Sequence, residues 1–225
     1  MTQPIETRKG PHQGQPVLLA GEPLARARAA MLMVHGRGAT AESILTLAQE
    51  LAQPGFAYAA PQAANNTWYP QSFLAPIERN EPGLSSGLSA IAEVLAQLST
   101  AGISPGRTLL LGFSQGACLS LEFVARHARR FGGVAGLSGG LIGPDGTPRN
   151  YSGSLDGTPV FLGCSDVDFH IPKERVHHTA EVLRRLGGNV TERLYPNMGH
   201  TINQDEIDFV REMMAELIKN TEIPK

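Results

Sequence analysis

Short apolar runs that end on glycine or proline alternate along this chain with longer stretches of helical period, and few folds accommodate that alternation. Ala29-Ala30-Met31-Leu32-Met33-Val34 stops at His35-Gly36, and a helix is predicted from about Ala41 to Ala52. Phe56-Ala57-Tyr58-Ala59-Ala60 closes at Pro61, and Leu84 to Leu98 carries a helical stripe of Leu84, Leu88, Ile91, Val94, Leu95 and Leu98. Thr108-Leu109-Leu110-Leu111-Gly112-Phe113 is almost wholly apolar, as a central parallel strand covered on both faces must be. A helix over 115–129 follows it directly. Strands are predicted at 133–137, 160–163 and 190–195, and helices at 173–186 and from about 203 to 218. Repeated strand-helix alternation of this kind builds a mostly parallel central sheet with helices on both faces, the α/β class.

The chain has 225 residues, which fits one large α/β domain. The polar, Pro/Gly-rich first residues, 1–16, read as a loosely held lead-in, and 17–225 as a single domain. Net charge is -2 with both signs scattered, so no basic stripe suggests nucleic acid or an anionic membrane as partner. No apolar run is long enough for stable membrane insertion, and the first residues have no apolar core of a signal peptide. Cys118 and Cys164 form no CxxC pair and read as buried free thiols. A cytoplasmic location is the default expectation.

In parallel sheets the ligand site lies beyond the carboxyl ends of the strands, so the residues just after each strand carry the interest. After the central strand stands Gly112-Phe113-Ser114-Gln115-Gly116, a GxSxG set between an apolar strand and a helix. A turn that sharp needs small neighbours and lifts the serine above the sheet, the arrangement of the α/β-hydrolase fold. The helix behind it offers free N–H groups and a positive dipole end that suit an oxyanion. Ser114 is therefore the candidate nucleophile.

A serine hydroxyl needs a base within hydrogen-bond reach and an acid to orient that base, in the chain order Ser, acid, His. His127 lies within the helix after Ser114 and faces away from its start, and His177 and His178 are adjacent in a predicted helix. His200 sits in the loop Pro196-Asn197-Met198-Gly199-His200 after the last strand, on the same side as Ser114. It is the candidate base. The acid should follow the preceding strand, where Asp166 and Asp168 both qualify and spacing does not choose between them. A second oxyanion donor should come from His35-Gly36-Arg37-Gly38, whose glycines allow close backbone approach. The backbone N–H groups of Arg37 and Gln115 are the candidates.

Val34-His35-Gly36-Arg37-Gly38, Gly112-Phe113-Ser114-Gln115-Gly116, Gly136-Leu137-Ser138-Gly139, Asp168-Phe169-His170-Ile171-Pro172 and Gly199-His200 together resemble the phospholipase/carboxylesterase family, which includes the acyl-protein thioesterases and lies near the dienelactone hydrolases. The resemblance runs from about residue 27 to 218. It implies Asp168 as the acid, because the family places that residue four positions before the proline, and it supports Arg37 and Gln115 as oxyanion donors. It implies no metal and no organic cofactor, and many members are dimers, so a homodimer is an expectation. The chain departs from the thioesterases at Arg37, where they usually carry Leu, and in the Cys164-Ser165 stretch. The long segment 62–82, expected as a loop, offers Trp68, Tyr69 and Phe73 either as walls of a substrate pocket or as anchors that pack the loop down.

The function these residues imply is a serine hydrolase that cleaves carboxylic ester or thioester bonds of small or medium acyl substrates through an acyl-enzyme. Two rivals stand beside it. One is a non-catalytic binding protein on the same fold. The other is a metal protein using His170, His177 and His178, for which no ligand spacing speaks.

Overall fold

The computed structural model describes residues 10–219. Its strands are Val17–Gly21 (β1), Ala29–Val34 (β2), Phe56–Pro61 (β3), Thr108–Phe113 (β4), Gly133–Leu137 (β5), Pro159–Ser165 (β6) and Asn189–Tyr195 (β7). Its α-helices are Ala41–Leu45 (α1), Leu47–Glu50 (α2), Gly83–Thr100 (α3), Gln115–Arg126 (α4), Lys173–Arg185 (α5) and Gln204–Lys219 (α6). The strands form one seven-stranded sheet in the order β1-β3-β2-β4-β5-β6-β7. Every neighbouring pair is parallel except β1 with β3, which is antiparallel.

Side-chain alternation along the central strands explains the two covered faces. Ala30, Leu32 and Val34 of β2 point into one core cluster with α3, α4 and α5, while Ala29, Met31 and Met33 point into another with α1, α2 and α6. All six are fully buried, so the strand reads as a continuous apolar run with no polar face. β1 escaped the sequence reading for the opposite reason. It is a half-exposed edge strand of five residues, with Leu19 left in solvent, and it lacks the continuous burial of the central strands.

Three further expectations are corrected. The predicted 41–52 helix breaks at Thr46 into α1 and α2, and α4 stops at Arg126 because His127 leaves the helical region at φ -120°. Of the lead-in expected to be loose, residues 1–9 lie outside the described residues, and the part from Gly10 onward is tied down. His12 is buried there. Its backbone N–H donates to Ser86 Oγ at 2.9 Å, and its ring bridges the Trp68 carbonyl (2.8 Å) and the Ala64 N–H (3.1 Å).

α6 opens with a reciprocal cap. The Asn203 side chain accepts the Glu206 N–H, and Glu206 Oε2 accepts the Asn203 N–H, both at 2.9 Å. The other carboxylate oxygen, Oε1, is buried without a partner, and a side chain built at Gly163 of β6 would collide with it. Burial pushes the Glu206 carboxyl from an ordinary 4.5 up to about 7, against the pull of the Asn203 N–H. A carboxyl raised in the folded state favours folding fully below pH 4.5 and progressively less as pH rises toward 7. Glu206→Gln keeps the cap and removes this penalty. It is expected to stabilise the protein by up to about 3 kcal/mol at pH 8 and by little near pH 4.5. Thermal unfolding of both proteins across that range checks it, and a constant difference at all pH values would contradict it.

Candidate active site

β4 runs straight into α4 through Ser114, whose backbone sits at φ 55°, ψ -120°, a left-handed conformation that costs a non-glycine residue about 1–3 kcal/mol. The two glycines around it are needed for space. A side chain at Gly112 would fall within 2.4 Å of the Gly116 carbonyl oxygen, and one at Gly116 within 2.0 Å of the Val34 carbonyl oxygen. α4 therefore crosses so close to β2 that only glycine fits. Gly116→Ala is expected to destabilise the fold by about 3 kcal/mol or more, because both colliding atoms are backbone. Urea unfolding would show it, and an unchanged midpoint would refute it.

Ser114 Oγ lies 2.8 Å from His200 Nε2, and His200 Nδ1 lies 2.7 Å from Asp168 Oδ2. The structure thus brings together the serine, the histidine and one of the two candidate acids. Asp168 Oδ1 accepts the N–H groups of His170 (2.8 Å) and Ile171 (3.1 Å). Burial alone would raise the Asp168 carboxyl. The hydrogen bond and charge of His200, with the two backbone N–H groups, outweigh it and hold the carboxyl below its ordinary value. Asp166 faces elsewhere and accepts the Asn197 N–H at 2.9 Å, while Ser165 Oγ accepts the Gly199 N–H at 3.2 Å. Both residues brace the loop that carries His200. Nothing in the chain order marks that bracing beyond their place at the end of β6. Of the other histidines, His127 packs on Phe123 and His177 pairs with Glu192 at 2.5 Å, so neither approaches Ser114.

The Arg37 loop also reaches the serine. A side chain at Gly36 would lie 3.4 Å from Ser114 Cβ. Among the described residues, no backbone acceptor in a turn or loop takes the N–H of Arg37 or of Gln115. The Arg37 side chain is otherwise engaged. Its guanidinium donates to the carbonyls of Pro70 (3.0 Å) and Gln71 (2.6 Å) and lies over the Tyr69 ring.

Gln115 holds the same segment from below. Its Oε1 accepts the Trp68 N–H at 2.9 Å and its Nε2 donates to the Tyr69 carbonyl at 2.8 Å. Trp68 is fully buried, with its indole N–H on the His35 carbonyl (2.9 Å) and its ring between His12 and His35. It does not line the cavity, which corrects its expected place among the substrate-binding residues: its ring is the anchor of the long loop. Tyr69 and Phe73 do line the cavity above Ser114, a space of about 480 Å³ that also takes in His200, His170, Ile171 and Cys118. The segment 62–82, expected as plain loop, contains two short 3-10 turns, at Ala64–Asn66 and Ile77–Asn80. Burial pushes the Cys118 thiol up to about 12, so it stays protonated and makes a poor rival nucleophile.

A mostly parallel sheet with a strained serine between β4 and α4, and with an acid and a histidine supplied after β6 and β7, makes this an α/β-hydrolase fold. The family model for Phospholipase/Carboxylesterase matches residues 20–218, and the chain belongs to that family. A crystal structure of a phospholipase/carboxylesterase from Dyadobacter fermentans superposes with a TM-score of 0.87 at 40% identity, covering 90% of this chain and 97% of that one. Acyl-protein thioesterase 1 from Gibberella zeae is 31% identical over 140 residues, which is 59% of this chain and 58% of that protein, so the match spans under two thirds of the relative's length. A probable carboxylesterase from rice (Oryza sativa subsp. japonica) is 24% identical over 86% of this chain and 91% of its own. Among the described residues no helix is long and apolar enough to cross a membrane.

Proposed function

We propose that this protein is a serine hydrolase that cleaves carboxylic esters or thioesters of small to medium acyl groups. The observation that carries this reading is the unbroken line from Asp168 Oδ2 through both His200 nitrogens to Ser114 Oγ, at 2.7 and 2.8 Å, opening onto the cavity. In the proposed cycle His200 Nε2 takes the Ser114 proton as Oγ attacks the substrate carbonyl. Asp168 keeps the Nδ1–H tautomer and stabilises the imidazolium. The N–H groups of Arg37 and Gln115 receive the oxyanion, each worth roughly 3 kcal/mol in the transition state. His200 then protonates the leaving group, and water attacks the acyl-enzyme by the same route in reverse.

The substrate class follows from the cavity. Tyr69, Phe73 and Ile171 give it apolar walls, and its volume suits a modest acyl group. Relatives named both carboxylesterase and acyl-protein thioesterase support ester and thioester alike. A series of p-nitrophenyl esters from acetate to long acyl chains, with a matched thioester series, tests the reading. Turnover should peak at short to medium length. A folded protein inert toward every ester and thioester, and unlabelled by a fluorophosphonate, would favour the non-catalytic binding role.

A further inference from the structure

One buried histidine beside the oxyanion loop has no part in the proton relay. His35 follows β2 and is fully buried. Its Nε2 lies 3.1 Å from the backbone nitrogen of Ala63, and its Nδ1 lies 2.8 Å from the Gly36 carbonyl oxygen. A peptide N–H can only donate, so Nε2 is the acceptor and Nδ1 carries the ring proton. Burial holds the imidazole below its ordinary value although the Gly36 hydrogen bond works the other way. The ring is therefore neutral at pH 7, in one fixed tautomer. Nδ1–H donates to Gly36, and the same carbonyl also accepts the Ala39 N–H at 3.2 Å.

The Gly36 carbonyl and the Arg37 N–H belong to one peptide plane. The only cis bond among the described residues is Glu81-Pro82, so this peptide is trans and its C=O and N–H point in opposite directions. Two donors on the oxygen thus fix where the N–H on the other edge points. Gly36 lies against Ser114, so the direction of that N–H matters to anything bonded to Oγ.

We propose that His35 is a positioning residue for acyl transfer: its Nδ1–H holds the Gly36 carbonyl so that the Arg37 N–H is aimed at the oxygen of the tetrahedral intermediate. This rests on the Ser114 hydrolase reading above. The competing role is purely structural, since Nε2 also pins the long loop through Ala63. The two ring nitrogens let the roles be separated. Asparagine places an amide nitrogen near the Nδ1 position and can keep the bond to Gly36. Glutamine places an amide oxygen near the Nε2 position, keeping the acceptor for Ala63 and losing the donor to Gly36.

The experiment compares wild type, Ser114→Ala, His35→Asn and His35→Gln. It measures kcat and KM on p-nitrophenyl butyrate, inhibition by an alkyl trifluoromethyl ketone, which forms an oxyanion on attack by serine, and tryptophan emission. Trp68 is the chain's single tryptophan, and its ring lies 5.0 Å from the His35 ring, so its emission reports whether the neighbourhood survives. Deleting an oxyanion donor lowers kcat about 10²- to 10³-fold; misaiming one in His35→Gln should lower it about 10- to 100-fold, with KM within about twofold and ketone affinity reduced in step. His35→Asn should stay within about fivefold of wild type in kcat. A His35→Gln protein with wild-type emission and kcat within about twofold would overturn the inference. So would equal losses in both variants accompanied by altered emission, which would mark a structural role alone. Wild-type turnover that survives in Ser114→Ala would instead bring down the hydrolase reading, and this inference with it.

Discussion

Ser114→Ala is expected to lower kcat by about 10⁴- to 10⁶-fold and leave the protein folded. Oγ is the one atom removed, and its hydrogen bond in the structure is to His200 Nε2. Alanine meets the same left-handed backbone as serine, so the strain at φ 55° is neither added nor relieved. The unfolding temperature should stay within about 2 °C of wild type. Burst titration with a p-nitrophenyl ester and labelling by a fluorophosphonate should both vanish. Labelling that persists at another residue, with turnover intact, would remove Ser114 from the chemistry. Ser114→Gly offers an internal contrast. It should be equally inactive yet more stable by about 1 kcal/mol, because glycine tolerates the conformation that the elbow imposes.

Asp168→Asn is expected to lower kcat on the order of 10⁴-fold, through the tautomer of His200 more than through loss of charge. The geometry forces this outcome. Oδ1 accepts two backbone N–H groups, from His170 and Ile171, and Oδ2 faces His200 Nδ1. An asparagine in the same rotamer must keep its oxygen toward the two N–H groups, because an amide nitrogen there would meet donors with donors. Its NH₂ group then faces Nδ1 and donates to it. His200 is left with its proton on Nε2, pointed at Ser114 Oγ, and cannot accept the serine proton. KM should change little, since Asp168 is sealed behind His200 and does not line the cavity. Steady-state kinetics and fluorophosphonate labelling rates check this. A variant within tenfold of wild type would mean that His200 does not need Asp168 to hold its tautomer.

Much of the candidate site was legible because it sits where chain order and strand ends intersect. Ser114 and His200 could be chosen from the residues alone: one lies between two glycines after an almost wholly apolar strand, the other in the loop after the last strand. Asp168 could not, because Asp166 lies two positions away at the same strand end, and only the family spacing preferred one. The structure shows what separates them. Asp168 turns its second oxygen onto the two N–H groups that follow it in sequence, while Asp166 reaches across to Asn197. The roles of Trp68, Gln115 and His12 were hidden for a different reason. Each depends on hydrogen bonds between residues tens of positions apart, between Gln115 and the backbone of Trp68 and Tyr69 or between His12 and Ala64, and neither periodicity nor motif records such pairings. β1 was missed because its five residues, Val17–Gly21, are only half-buried and continue directly from a polar, Pro/Gly-rich lead-in.

The double duty of Gln115 constrains how this family member can diversify. Its backbone N–H stands at the start of α4 beside Ser114, and its side chain holds the wall that Tyr69 belongs to. A substitution that reshapes the wall there also disturbs the residue next to the candidate nucleophile, so on the proposed mechanism the position offers selection no independent choice between breadth and speed. The side chains of Phe73 and Ile171 carry no such tie: both line the cavity with apolar groups, and Ile171 engages Asp168 only through its backbone N–H. Drift in substrate preference among descendants of this sequence should therefore accumulate at 73 and 171 while 115 stays fixed, and a mutational library directed at the first two should yield altered selectivity with catalytic rate preserved.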